Sequence, residues 1–157
     1  MKSIVIYATR SGNTRRVAEQ IAATLVASGD VGIHEVGGAP TDLSGADLVV
    51  IGGPTEGHGV TLAMTEYLDR IEPATIAGRP VAVFDTRLAW PRILSGAAAD
   101  GIARRIRALG ARMLLAPESF IVSTKPELRP GEIERAGRWA AEVARAVGER
   151  NPVGTGH

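Results

Sequence analysis

The sequence predicts an α/β fold in which a doubly wound sheet of five parallel strands carries helices on both faces. Short runs of β-branched residues alternate with amphipathic helical segments, and the runs lack the polar alternation of strands that have one face in water. With 157 residues, 45% of them hydrophobic, the chain has the size of one domain. We expect that domain to span residues 1–150 and residues 151–157 to form a flexible tail.

Five segments have the composition of buried strands. They are Ser3–Ala8, Val31–Val36, Ala46–Gly52, Pro80–Thr86 and Ala111–Val122. His34 interrupts the apolar pattern of the second segment, as an edge strand permits. Pro117 lies in the middle of the fifth, so we expect that strand to be broken or bulged there.

Four segments have apolar residues at helical spacing. They are Thr14–Ala27, Thr61–Ile71, Ala97–Leu109 and a last segment that begins after Gly131. Gly29 and Gly110 follow the first and third of these helices and are expected to end them. Tyr7 in the first strand and Trp139 in the last helix are expected to be core residues.

Composition and charge exclude several classes of function. The net charge of +1 gives no broad basic field, so we expect no nucleic-acid partner. The absence of cysteine excludes disulfides, thiolate nucleophiles and iron–sulfur sites. No apolar stretch is long enough to cross a membrane, and the first strand begins at Ser3 or Ile4, so we expect no signal peptide and a cytoplasmic location.

The loop after the first strand is the strongest candidate for a phosphate site. In doubly wound sheets, ligands bind beyond the carboxyl ends of the strands. This loop, Thr9-Arg10-Ser11-Gly12-Asn13-Thr14, offers three hydroxyls, a cation and a glycine at a helix N-terminus, whose N–H groups suit an anion. The alternative is that Ser11, Asn13 or Thr14 only caps the helix. The spacing fits neither a dinucleotide-binding nor a P-loop motif.

The segment Ile4–Leu25, IVIYATRSGNTRRVAEQIAATL, resembles the opening of flavodoxins, whose phosphate loop reads [TS]-x-[TS]-G-x-T. The matching positions are Thr9, Ser11, Gly12 and Thr14. The resemblance implies the strand order 2-1-3-4-5 and a bound FMN whose phosphate lies in this loop.

The loop after the third strand, residues 53–59, resembles the G-x-P-T segment that runs beside the flavin ring in this family. The candidate cofactor contacts here are Pro54, Thr55, Glu56, Gly57 and His58. In the family a glycine in this loop lets one peptide flip toward the flavin N5, and Gly57 is the candidate. His58 could titrate beside the flavin, and the alternative is a solvated loop residue.

The loop after the fourth strand, residues 85–92, departs from the family. The candidate contacts are Thr86, Arg87 and Trp90, of which Trp90 could be the aromatic residue that stacks on the flavin. The alternative for Trp90 is packing on the domain surface. The pattern of glycine and acidic residues that is usual in this loop of the family is missing, and Arg87 and Arg92 lie there.

These observations favour an FMN-binding electron carrier that exchanges electrons with a redox protein or a small-molecule acceptor. One alternative is a flavodoxin-like FMN oxidoreductase acting on a quinone or a protoporphyrinogen-like acceptor, and another is a module of this fold that has lost FMN. Flavodoxins are usually acidic, whereas this chain places Arg10, Arg87 and Arg92 near the predicted site. We therefore expect the fully reduced, anionic flavin to be less disfavoured than is typical.

Overall fold

A computed structural model describes residues 1–56, 59–90 and 96–150. The tail, residues 91–95 and the two candidate residues Gly57 and His58 lie outside the described residues. The strands are β1 (Lys2–Tyr7), β2 (Asp30–Glu35), β3 (Leu48–Pro54), β4 (Pro80–Leu88), β5 (Arg112–Met113) and β6 (Glu118–Val122).

All strand pairs of this sheet are parallel, in the order β2-β1-β3-β4-β5, and β6 also pairs with β4. The expected strand order is therefore confirmed. The expected break in the last strand is also confirmed, because β5 pairs with the start of β4 at Pro80 and Val81, whereas β6 pairs with its end. Pro117, which has no N–H to donate to a ladder, lies between the two pieces.

Helices cover both faces of the sheet. They are α1 (Asn13–Leu25), α2 (Leu62–Arg70), α3 (Pro73–Ile76), α4 (Ala98–Ala108) and α5 (Glu132–Arg150). The apolar residues of α1 and α5 form one core cluster with the sheet, and those of α2, α3 and α4 form another. No helix in the described part of the chain is long and apolar enough to cross a membrane.

Three aromatic rings form the centre of the core between the sheet and α5. Phe84 of β4, Phe120 of β6 and Trp139 of α5 pack edge-to-face, with ring centroids 6.0–6.1 Å apart. Trp139 and Tyr7 are both buried, as expected. The ring of Phe84 lies directly against the backbone of Gly52 in β3, at the place where a larger residue would put its Cβ.

We expect Gly52→Ala to destabilise the protein by about 1–3 kcal/mol, because the added methyl group overlaps the buried ring of Phe84 and forces the aromatic cluster to shift. Urea denaturation of the two proteins measures the difference. Gly45→Ala is the matched control, because a Cβ at Gly45 meets no atom within 4 Å. Equal destabilisation by both substitutions would contradict this prediction.

Candidate functional site

A cleft of about 500 Å³ lies at the edge of the sheet where the carboxyl ends of β1, β3, β4 and β6 meet. Four loops form its walls. The lining residues are Arg10, Ser11, Asn13, Pro54, Thr55, Glu56, Thr86, Arg87, Leu88, Trp90, Val122, Ser123, Thr124 and Pro126.

Nine of the residues that the sequence predicts as cofactor contacts line this cleft, and they come from three separate loops. Thr9, Gly12 and Thr14 belong to the first loop but do not line the cleft. Gly57 and His58 lie outside the described residues, so their expected roles stay predictions.

In the first loop, the residue that precedes helix α1 is Gly12, with a left-handed backbone (φ +91°). Its N–H donates to the hydroxyl of Thr9 at 3.1 Å. The Asn13 amide donates to Ser11 Oγ at 3.1 Å and to the carbonyl of Pro126 at 2.6 Å. Gly12, which has no side chain, therefore occupies the position that a capping side chain usually fills.

A buried hydrogen bond joins the first loop to the third. The hydroxyls of Thr14, in the first turn of α1, and Thr86, near the end of β4, lie 2.8 Å apart. Both residues are buried. The carbonyl of Thr86 also accepts the N–H of Thr55 at 2.9 Å, so the second loop is attached at the same place.

The second loop is closed by two backbone hydrogen bonds between Glu56 and Gly59, of 3.0 and 2.8 Å. The Glu56 carboxylate also forms an ion pair of 3.1 Å with Arg10 of the first loop. The Arg10 side chain is 79% exposed, so this pair adds little stability. Arg10, which we expected to contact a phosphate, is thus paired with Glu56 across the mouth of the cleft.

In the third loop, the backbone folds around the guanidinium of Arg87. Its Nη1 donates to the carbonyl of Trp90 at 2.8 Å and to that of Leu88 at 3.2 Å. Arg87 is half-buried and lines the cleft. The side chain of Trp90 is 55% exposed at the rim. A fixed cation and an accessible aromatic ring therefore lie side by side in this wall.

The fourth wall, Val122 to Pro126, was missed by the sequence prediction. It folds back on β6, because the N–H of Ser123 donates to the carbonyl of Glu127 and the N–H of Arg129 to that of Ile121, at 2.8 and 3.0 Å. Only the topology indicates this wall, because the segment follows the carboxyl end of a parallel strand and such ends lie at the same edge of the sheet.

Two residues of α5 bind β6, the strand that leads into this wall. Glu132 accepts the N–H of Ile121 at 2.6 Å and two hydrogen bonds from Arg135, at 2.9 and 2.8 Å. Arg135 also donates to the carbonyl of Ser119 and lies over the ring of Phe120, 4.5 Å from its centroid. The hydrogen bonds from Arg135 hold the pKa of the Glu132 carboxyl below its usual value.

We expect this carboxyl to make stability depend on pH. Because its pKa is lower in the folded than in the unfolded chain, its contribution is complete above the ordinary value of 4.5 and is lost as the pH falls through the folded pKa. Urea denaturation between pH 7 and pH 3 should therefore show a smaller acid-induced loss for Glu132→Gln than for wild type. Glu142→Gln, further along α5, is the control. Identical pH profiles for wild type and Glu132→Gln would contradict the assignment.

In the part of the chain that the structure describes, no three His, Cys, Asp or Glu residues lie close enough together to hold a metal ion. The polar lining groups of the cleft are hydroxyls, the Asn13 amide, the guanidinium groups of Arg10 and Arg87, and the Glu56 carboxylate that is paired with Arg10. Such a set suits an organic anion.

Residues 4–107 match the family model of the flavodoxin domain, which is more than half of the chain. The chain belongs to the flavodoxin family. The residues of the first, second and third loops all fall within the matched range. No curated protein matches the chain.

Solved structures of flavodoxins have the same fold. Flavodoxin 1 from Bacillus cereus is 21% identical with a TM-score of 0.79, over 92% of this chain and 98% of its own. Flavodoxin 2 from the same organism is 25% identical with a TM-score of 0.76, over 96% and 99%. The rubredoxin oxygen:oxidoreductase from Desulfovibrio gigas is 16% identical with a TM-score of 0.75, but this chain covers only 37% of it.

Proposed function

We propose that this flavodoxin-family protein binds FMN in the cleft, with the phosphate at the N-terminus of α1. We propose further that it is an electron carrier in the cytoplasm, whose flavin exchanges electrons with a redox protein or a small-molecule acceptor. The observation that carries the proposal is the start of α1, where a left-handed glycine leaves an open cradle at the end of a helix. When bound, FMN supplies the one- and two-electron chemistry, and the protein supplies binding and electrostatics.

The cradle has the properties that a phosphate requires. A Cβ added to Gly12 would meet no atom within 4 Å, so the space above the loop is open. The first turn of α1 contains no acidic residue. It contains Arg16 and also Arg15, which is paired with Glu19 of the next turn at 3.0 Å. Cations at the positive end of a helix dipole are unfavourable by themselves, and a bound anion offsets them. The loop thus fits a phosphate better than it fits a neutral ligand.

The rest of the cleft fits a flat, largely apolar ring system. Its volume of about 500 Å³ lies within the usual range for cofactor sites. Apolar groups of Pro54, Leu88, Trp90 and Val122 line it. The polar groups of Thr55, Thr86 and Ser123 lie among them and are suited to orient a ligand.

We expect apoprotein to bind FMN far more tightly than riboflavin, because only FMN carries the phosphate. Gly12→Ala should weaken FMN binding by about tenfold or more while changing riboflavin binding little, since the strained φ distorts only the cradle. Quenching of flavin fluorescence gives both dissociation constants. Gly37→Ala is the control, because its Cβ meets nothing within 4 Å and its φ is not positive. Equal affinity of wild type for FMN and riboflavin would overturn the phosphate site, and a protein that takes up neither would support the module that has lost FMN.

We also expect Arg87 to stabilise the anionic, fully reduced flavin. A half-buried cation in the wall of the cleft favours a developing negative charge, so Arg87→Gln should lower the second reduction potential by about 60 mV, which is tenfold in a one-electron equilibrium. Arg87→Lys, which keeps the charge, should recover most of that shift. Redox titration of the FMN-loaded proteins measures it. A very low second potential in wild type would refute the expectation.

A second candidate function is supported by the third loop, where Leu88 and the exposed ring of Trp90 lie together at the mouth of the cleft. Such an apolar approach suits a quinone or a protoporphyrinogen-like acceptor. Oxidation of NAD(P)H with a quinone as acceptor separates the two functions: multiple turnovers indicate an oxidoreductase, and their absence in an FMN-loaded protein indicates a carrier.

A further inference from the structure

The N-terminus of helix α4 receives its hydrogen bonds from residues far away in the sequence. The residue that precedes the helix is Ala97, which has no side-chain acceptor. Instead, the N–H of Ala98 donates to Thr55 Oγ1 at 2.9 Å, and the N–H of Ala99 donates to Asp85 Oδ2 at 2.9 Å. Thr55 and Asp85 therefore do together what a local capping residue does in most helices.

The two acceptors are also bonded to each other. The hydroxyl of Thr55 donates to Asp85 Oδ2 at 3.3 Å, so its oxygen accepts from Ala98 while its hydrogen is directed to the carboxylate. Asp85 is completely buried. Burying a carboxyl group is costly unless it is hydrogen-bonded, so these bonds offset the cost of placing it there.

The two residues differ in their position relative to the cleft. Thr55 lines it and begins the second loop, and its N–H is held by the carbonyl of Thr86. Asp85 lies beneath the cleft and does not line it. Any effect of Asp85 on a ligand must therefore pass through Thr55, through α4 or through the charge of the carboxyl group.

We propose that Asp85 is a positioning residue for the cofactor cleft: it holds Thr55 and the first turn of α4 in one hydrogen-bonded unit, so that ligand binding at the second loop and the order of α4 are coupled. The inference rests on the proposed function in that the ligand is FMN. Coupling of this kind is reciprocal. A ligand that fixes Thr55 also protects the start of α4 against opening, and a change that loosens α4 weakens ligand binding.

A double-mutant cycle tests the route through Thr55. Asp85→Asn keeps the shape of the side chain but removes its charge, and Thr55→Val removes the hydroxyl at similar volume. We expect each single variant to weaken FMN binding by about tenfold. The double variant should bind FMN no more weakly than the weaker-binding of the two single variants, because both substitutions disrupt the same hydrogen-bonded unit. Thr55→Ser, which keeps the hydroxyl, should bind FMN like wild type, and Asp30→Asn, at an exposed position on β2, should not change binding. Additive losses, or an unchanged FMN dissociation constant in Asp85→Asn, would overturn the proposal.

Hydrogen exchange supplies a readout that does not depend on Asp85→Asn folding. In wild type, addition of FMN should slow exchange of the Ala98 and Ala99 amides, and Thr55→Val should abolish that effect. Unchanged exchange on FMN binding would overturn the coupling. If wild type takes up no FMN, the proposed function fails, but the capping of α4 can still be tested in apoprotein. There, Thr55→Val should speed exchange of the Ala98 and Ala99 amides relative to wild type. An equal exchange rate would contradict the capping.

Discussion

The hydrogen bond between the hydroxyls of Thr14 and Thr86 sets the geometry of the cleft. It joins the first turn of α1 to the end of β4 in a buried place, where the loss of one partner leaves the other without compensation. Because the carbonyl of Thr86 accepts the N–H of Thr55, the first, second and third loops all meet at this one residue of β4. The cleft is therefore assembled around the end of β4 rather than around any single loop.

Local periods were enough for the main helices, and the missing N–H of proline was enough for the break at Pro117. The strand order was implied by the resemblance to flavodoxins and not by any local pattern. The short helix α3 was missed, since four residues are too few to show a period. The wall at Val122 to Pro126 carries no motif, and only the topology reveals it. The role of Asp85 was invisible for a different reason: its partners are 30 residues earlier and 14 residues later in the chain.

The third loop shows how this chain departs from its family without losing the fold. In this loop, which lacks the usual pattern of the family, the buried Asp85 accepts the N–H of Ala99 at the start of α4, and the guanidinium of Arg87 binds the carbonyl of Trp90 in the following turn. The two charges thus have different surroundings, one buried beneath the cleft and the other in its wall. The segment in which the resemblance is weakest therefore binds neighbouring backbone groups through the side chains of both Asp85 and Arg87.

The return of the chain after β6 has a consequence for how the folded protein behaves at high concentration. The outer edge of this strand would otherwise present free N–H and C=O groups, but Arg129, Glu132 and Arg135 bind those of Ile121 and Ser119. An edge strand whose backbone is occupied cannot serve as a template for a strand from another molecule. The contacts that cover the outer edge of β6, next to the fourth wall of the cleft, therefore also protect this border of the sheet against aggregation.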